Sequence, residues 1–238
     1  MRCIFVLDIL NGAVVHAVRG ERSRYEPISS FSRIVTTSSP RGIMQTIHPR
    51  EVYVADLNML TGQGKDNLAA LDEISQSART MADIGIFSAA DLEKLPPAVS
   101  PVLGTETASL PLIADAARAG LEAGRSRKIV VSIDMRKRKI LSSDPNLANK
   151  APLELLSELN RLDLEAVILL ELDRVGTSSG LDAAFLKRAS TASEHPLILG
   201  GGVKGKEDLQ TLEDMGFSGA LVATAVHNGR IPVAAVQR

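Results

Sequence analysis

Two aspartates stand where an apolar run gives out: Asp8 after Cys3–Leu7 and Asp134 after Ile129–Ile133. A carboxyl group ending a buried strand can give or take a proton, and two of them flanking one bound molecule can act as general acid and general base. The competing reading of each is a helix N-cap or a partner for a nearby arginine. A second chemical signature follows the apolar run Pro196–Leu199, where Gly200-Gly201-Gly202 leads through Val203 into a helical pattern beginning at Lys206. Glycines let a backbone come close to an anion, and the amides opening a helix supply donors. Ala223-Thr224, after the run Ala220–Val222, offers a hydroxyl and further amides. Gly201, Gly202, Val203, Ala223 and Thr224 are therefore the expected phosphate-binding set, against the alternative of a tight turn without a ligand. His16, His48, His195 and His227 show no metal-ligand spacing, so no metal is expected. A single cysteine, Cys3, is incompatible with a disulfide framework or a Cys-based zinc site.

These residues need a scaffold that brings strand ends together. Apolar runs at Cys3–Leu7, Glu51–Ala55, Thr80–Ile84, Pro101–Leu103, Ile129–Ile133, Ala166–Leu170, Pro196–Leu199 and Ala220–Val222 read as strands. Helical patterns between them include Asn67–Gln76, Ala89–Leu95, Leu110–Ala123, Leu153–Leu162, Ala183–Ala192 and Lys206–Met215. Eight β-then-α units predict an α/β fold, a (β/α)8 TIM barrel, with its active site in the loops at the C-terminal strand ends. A doubly wound sheet would place G-x-G-x-x-G after the first strand, where Asp8-Ile9-Leu10-Asn11-Gly12 stands instead. Two repeated half-barrels are expected, about 1–125 and 126–238, within one domain over 1–238. A shift of 117 lays Ile84-Gly85-Ile86 on Gly201-Gly202-Val203, and a shift of 126 lays Asp8 on Asp134. Where the second half has glycines, the first has Asp83-Ile84-Gly85. Asp83 would repel a phosphate and Ile84 would block close approach, so one phosphate site is expected rather than two.

The remaining composition narrows the function classes. The 238 residues are 45% hydrophobic and 23% charged, with a net charge of −1 that gives no electrostatic case for nucleic acid. With aromatics at 3% and no tryptophan, the core must be built from Val, Ile, Leu and Ala, as suits a parallel sheet buried on both faces. No stretch approaches membrane-spanning length, and Cys3–Leu10, broken by Asp8, does not read as a signal peptide. A cytoplasmic protein is expected. The basic run Arg136–Lys139 reads as a solvated hairpin in preference to an anion attractor. The polar loop Arg19–Arg24 is long enough to close over a ligand, though an ordinary surface loop is an equal reading.

At these residues the chain resembles the histidine-biosynthesis barrels, the family of ProFAR isomerase and of the cyclase subunit of imidazole glycerol phosphate synthase. Leu7-Asp8-Ile9-Leu10-Asn11-Gly12-Ala13-Val14-Val15 is similar to the family's opening I-D-[LV]-x-x-G-x-x-V. Ala55-Asp56-Leu57-Asn58 with Gly62 and Asn67 resembles the isomerase. Leu172–Thr177 with Ser179-Gly180, and Ala220–His227, resemble the cyclase. Gly201-Gly202-Val203 and Glu207-Asp208-Leu209 fit both. The resemblance implies an Amadori-type aldose-to-ketose isomerisation without a cofactor, with Asp8 as one acid–base group and Asp134 as the fifth-strand acid. The chain departs from the family at several places. Val175 stands where the family has its sixth-strand acid, and Leu170 with Glu171 beside it stands where the family has a threonine. His16 takes the place of the isomerase's basic first-loop residue, and Phe87 that of an arginine after strand 3. Glu171 thus joins Asp8 and Asp134 as a catalytic candidate. Three readings stay open: an isomerase of a phosphorylated aminosugar or related phosphosugar, the ProFAR isomerase itself, and a non-catalytic barrel that binds a phosphate ligand. The expected partner is a phosphorylated small molecule, with neither nucleic acid nor membrane. A homo-oligomer is left open.

Overall fold

The computed structural model describes residues 1–122 and 128–237. Its frame is a closed ring of eight parallel strands. Numbering only these, they are β1 (Arg2–Leu10), β2 (Glu51–Asp56), β3 (Arg79–Asp83), β4 (Val99–Gly104), β5 (Val130–Arg136), β6 (Ala166–Glu171), β7 (Leu197–Gly200) and β8 (Gly219–Val222). β8 returns to β1 in parallel register, Arg2 against Gly219 through Phe5 against Val222, and closes the barrel. Helices lie between the strands, among them Pro40–Ile47, Leu68–Ser75, Leu110–Glu122, Pro152–Leu159, Ala183–Ala192 and Lys206–Asp214. The chain is thus the expected (β/α)8 TIM barrel. The join of the expected half-barrels, at 125 and 126, and the expected helix end at Ala123 lie outside the described residues. Among the described residues no helix is long and apolar enough to cross a membrane.

Alternation along each strand sorts the core into two layers. Ile4, Tyr53, Met81, Val102, Val130, Ile168, Ile198 and Leu221, one from each strand, pack together inside the barrel. Their neighbours in sequence, such as Phe5, Val52, Ala82, Leu103, Val131, Leu169, Leu199 and Val222, pack outward against the helices. The strands therefore read as unbroken apolar runs, because both faces are buried. This phase also decides which polar residues reach the mouth of the barrel. Counting in twos from the inner layer arrives at Asp8, Asp83 and Asp134. Asp56 and Glu171 fall on the other phase.

β1 runs beyond the expected Cys3–Leu7. It reaches Leu10 and turns at Asn11-Gly12 into an antiparallel partner, Ala13–His16, with Ile9 opposite Val14. Both turn residues have positive φ, +51° and +80°, the twist for which Asn-Gly is the preferred pair in a two-residue hairpin. The hairpin carries Val14, Val15 and His16 over the barrel mouth. The expected helix Ala89–Leu95 is a single turn, Ala89–Leu92, opened by Ser88 and Asp91 in a capping box. Arg136–Lys139 is indeed a hairpin, pairing Arg136 with Lys139. Its Arg138 is only partly exposed: the guanidinium lies 3.7 Å over the Phe185 ring and pairs with Glu171 and Asp182.

Candidate active site

The C-terminal strand ends and their loops enclose a cavity of about 240 Å³. Asp8 and Asp134 both line it, from strands on opposite sides of the barrel, and Asp83 joins them from β3. Asp134 is 3% exposed and tightly held. Its Oδ1 accepts from the Ser132 hydroxyl at 2.7 Å and its Oδ2 from the Glu106 amide at 3.0 Å. Thr105 accepts the Asp134 backbone N–H at 3.0 Å and so fixes the strand end from which the carboxylate projects. Gly104 lies between Asp83 and Asp134. A Cβ there would stand 2.9 Å from Asp83 Oδ2 and 2.7 Å from Asp134 Oδ2, so a side chain on β4 would collide with both carboxylates.

Burial sets the proton affinity of all three. It raises Asp8 from 3.8 to about 7, with the Arg22 charge pulling the other way. It raises Asp134 to about 6, against the hydrogen bonds from Ser132 and Glu106. Asp83 reaches about 8 through burial and the neighbouring Asp134 charge, against one hydrogen bond from the Gly85 amide at 2.9 Å. At neutral pH the mouth thus holds carboxyl groups in both protonation states, the condition for acid and base work in one site.

The roof is the first loop. Arg22 makes a two-pronged ion pair with Glu106, at 2.9 and 2.8 Å, and so ties this loop to the segment following β4. Arg136 donates to the Arg19 carbonyl at 3.3 Å, and the Arg19 amide donates to the Val175 carbonyl at 3.0 Å. Of the two readings of Arg19–Arg24, the structure thus supports the one that covers the mouth.

The opposite wall is formed by Gly201, Gly202, Val203, Ala223 and Thr224, all of which line the cavity. The backbone at Gly202 has φ +85°, and a Cβ there would meet the Gly180 carbonyl oxygen at 2.8 Å. Only glycine allows that turn. Thr224 opens the short helix Thr224–His227, whose first amides have no acceptor within the helix. His16 reaches this wall, its Nε2 3.4 Å from Thr224 Oγ1 and its ring stacked on Phe31 at 3.8 Å. Burial lowers the His16 pKa despite the Glu26 charge.

Glu171 stands apart from the cavity. β6 turns Leu170 inward, and the Glu171 carboxylate points the other way, 3.1 Å from Arg138 Nη1 and 3.0 Å from Arg174 Nε. Burial raises its pKa, while the two guanidinium groups pull it down. Asp56, the last residue of β2, is a structural cap. It accepts from the amides of Asn58, Met59 and Asn67 at 3.0, 3.2 and 2.6 Å and from the Asn67 side chain at 2.7 Å. Sequence reasoning passed over Asp83 as a proton-transfer candidate, although its distance of two from the inward Met81 was a usable signal. Nothing local in the sequence marked Glu106 as the partner of Arg22. Among the described residues no group of three His, Cys, Asp or Glu side chains is disposed to hold a metal ion.

Comparison with known proteins adds a lineage to this geometry. A family model described as Histidine biosynthesis protein matches residues 2–232. A protein of Methanocaldococcus jannaschii described as uncharacterized is 32% identical over 232 residues, 96% of this chain and 94% of its own. A 1-(5-phosphoribosyl)-5-((5-phosphoribosylamino)methylideneamino) imidazole-4-carboxamide isomerase of Thermus thermophilus is 28% identical over 240 residues, 97% of this chain and 96% of its own. The enzyme of the same name from Dehalococcoides mccartyi strain 195 is 27% identical over 239 residues, 96% and 95% of the two chains.

Proposed function

The chain belongs to the histidine biosynthesis protein family, and from that membership and the carboxyl groups facing its cavity we propose that it is an aldose–ketose isomerase of a phosphorylated aminosugar or related phosphosugar. The phosphate sits against Gly201, Gly202, Val203, Ala223 and Thr224, and the sugar lies between Asp8 and Asp134. One carboxyl group delivers a proton to the ring oxygen as the bond from that oxygen to C1 breaks, leaving a protonated imine. A carboxylate then removes the proton from C2. The resulting enolamine tautomerises to the ketose, so the atoms of substrate and product are the same. The rearrangement has no net oxidation or reduction, and the reading requires no redox cofactor. The observation that carries it is the placement of Asp8 and Asp134 in one cavity, both raised by burial to within about one pH unit of neutrality.

A second reading is that the substrate is the one in the relatives' name. Matches of 27–28% identity along nearly the whole chain favour it. That name contains two phosphoribosyl groups. A second phosphate seated opposite Thr224 would face Asp83, Asp134 and Glu106, and the nearby Arg22 is already taken by Glu106. Glu171, the residue that could stand in for the acid missing at Val175, is held between Arg138 and Arg174. Both observations favour a ligand with one phosphate. Expression in a histidine auxotroph lacking the isomerase separates the two: no rescue is expected, and rescue would establish the relatives' substrate. A purely ligand-binding barrel is the third reading. It would show phosphosugar binding that is indifferent to Asp8→Asn and Asp134→Asn, with no turnover of any phosphosugar.

A further inference from the structure

Between Asp8 and Asp83 the barrel mouth has a gap. In the register of the sheet, Ala55 on β2 stands beside Asp8 on one side and Asp83 on the other. A methyl group there leaves open the space that a longer side chain would fill. Tyr53 precedes Ala55 by two residues, so it lies on the same inward face, one layer beneath. It is 4% exposed and lines the cavity, onto which that small exposure opens. Its hydroxyl makes no hydrogen bond to any described residue. Ser178 Oγ and His227 Nε2 lack partners too, but both are closed off even from water, and the Tyr53 hydroxyl is not. Burial, then the charges of Asp83, Asp134 and Asp8, push its pKa well above the usual phenol value. The group therefore keeps its proton and presents a donor, and a buried phenol O–H ordinarily has an acceptor.

We propose that Tyr53 is a substrate-contacting residue, its hydroxyl donating to the oxygen of a sugar hydroxyl group held in the gap between Asp8 and Asp83. The inference rests on the reading that a phosphosugar lies in the cavity with its phosphate on the Gly202–Thr224 wall. A sugar hydroxyl both accepts and donates. It accepts from Tyr53 and donates to a carboxyl oxygen of Asp83, which offers an acceptor whether or not that group carries a proton. Tyr53 keeps its own proton and forms no covalent bond to the substrate. A ligand without hydroxyl groups would leave the phenol and the carboxyl groups unpaired, so the floor selects for a polyhydroxylated chain attached to the phosphate. A site built to bond a hydroxyl discriminates against analogues that lack it.

Tyr25 and Tyr53 are the two tyrosines of the chain. Tyrosine labelled with 13C at Cζ therefore gives two signals, and the one that persists in Tyr25→Phe is that of Tyr53. The full wild-type chain is titrated near neutral pH with ribose 5-phosphate and, separately, with inorganic phosphate, with affinities measured by calorimetry. Ribose 5-phosphate is expected to move the Tyr53 signal saturably, and inorganic phosphate to bind without moving it. Tyr53→Phe, which removes only the hydroxyl, should weaken ribose 5-phosphate binding by about tenfold, the worth of one hydrogen bond, and leave inorganic phosphate affinity unchanged. If the wild-type protein binds neither probe, the phosphosugar reading fails and this inference with it. If it binds inorganic phosphate but ribose 5-phosphate leaves the Tyr53 signal still, or if Tyr53→Phe binds both probes as the wild type does, the inference alone is overturned. The wild-type spectra decide the question even where Tyr53→Phe fails to fold.

Discussion

Asp8→Asn should make the protein more stable at alkaline pH, and by an amount that grows with pH in a defined window. Burial raises the Asp8 pKa from 3.8 to about 7. Below 3.8 the group is protonated in folded and unfolded chains alike, and its contribution vanishes. Between 3.8 and about 7 the unfolded chain loses the proton while the folded chain keeps it, so stability falls as pH rises. Above about 7 the loss is complete and constant. The interval corresponds to roughly 4 kcal/mol as an upper bound, at 1.36 kcal/mol per pH unit. An asparagine cannot ionise and escapes this loss, though its half-buried amide at the cavity gives back roughly 1 kcal/mol. The stability of Asp8→Asn relative to wild type should therefore climb by up to roughly 3 kcal/mol from pH 4.5 to pH 8.5. At about 2–4 °C per kcal/mol for a chain of this size, the relative Tm should rise by several degrees. The main influences on Asp83 and Asp134 are burial, their own hydrogen bonds, Glu106 and Arg22, with Asp134 also acting on Asp83, so their own titration largely cancels in the comparison. Denaturant unfolding followed by circular dichroism at four pH values measures the difference. A difference that stays flat with pH would refute the claim that Asp8 is a carboxyl group strained by burial.

Three further outcomes follow from the same geometry. Asp8→Asn and Asp134→Asn should each lower turnover by about 10²-fold or more while inorganic phosphate affinity, measured by calorimetry, changes little; near-wild-type turnover in both would remove the pair from the chemistry. Glu171→Gln removes the charge shared by Arg138 and Arg174 at a 5%-exposed position; both arginines are partly exposed and Arg138 keeps Asp182, so the loss is that of a charged hydrogen bond, roughly 1–3 kcal/mol. It should therefore lower Tm but spare the turnover of the folded protein, and the reverse pattern would return Glu171 to the mechanism. Gly202→Ala must accommodate φ +85° and a Cβ 2.8 Å from the Gly180 carbonyl oxygen. Strain of about 1–3 kcal/mol and a loss of phosphate affinity are expected, and unchanged affinity by calorimetry would place the anion elsewhere.

Chain order and strand periodicity are local properties, and both could be read from the residues alone. Eight apolar runs alternating with helical patterns specify a barrel because parallel strands buried on both faces need a helix after each. The ends of those runs put Asp8 and Asp134, and the glycines at 201 and 202, at the mouth. The phase of alternation was present in the sequence too, but it becomes meaningful only once the inner layer is identified. Glu171 follows an apolar run as plainly as Asp134 does, yet one residue of phase turns it out of the cavity and between two arginines. What only the tertiary structure decided are relations between distant segments. Arg22 meets Glu106 across 84 residues and Ser32 meets His227 across 195. Gly104 leaves room for two carboxylates on the strands at either side. Closing the barrel buries these groups together. Their proton affinities follow from that shared burial and not from any one stretch of chain.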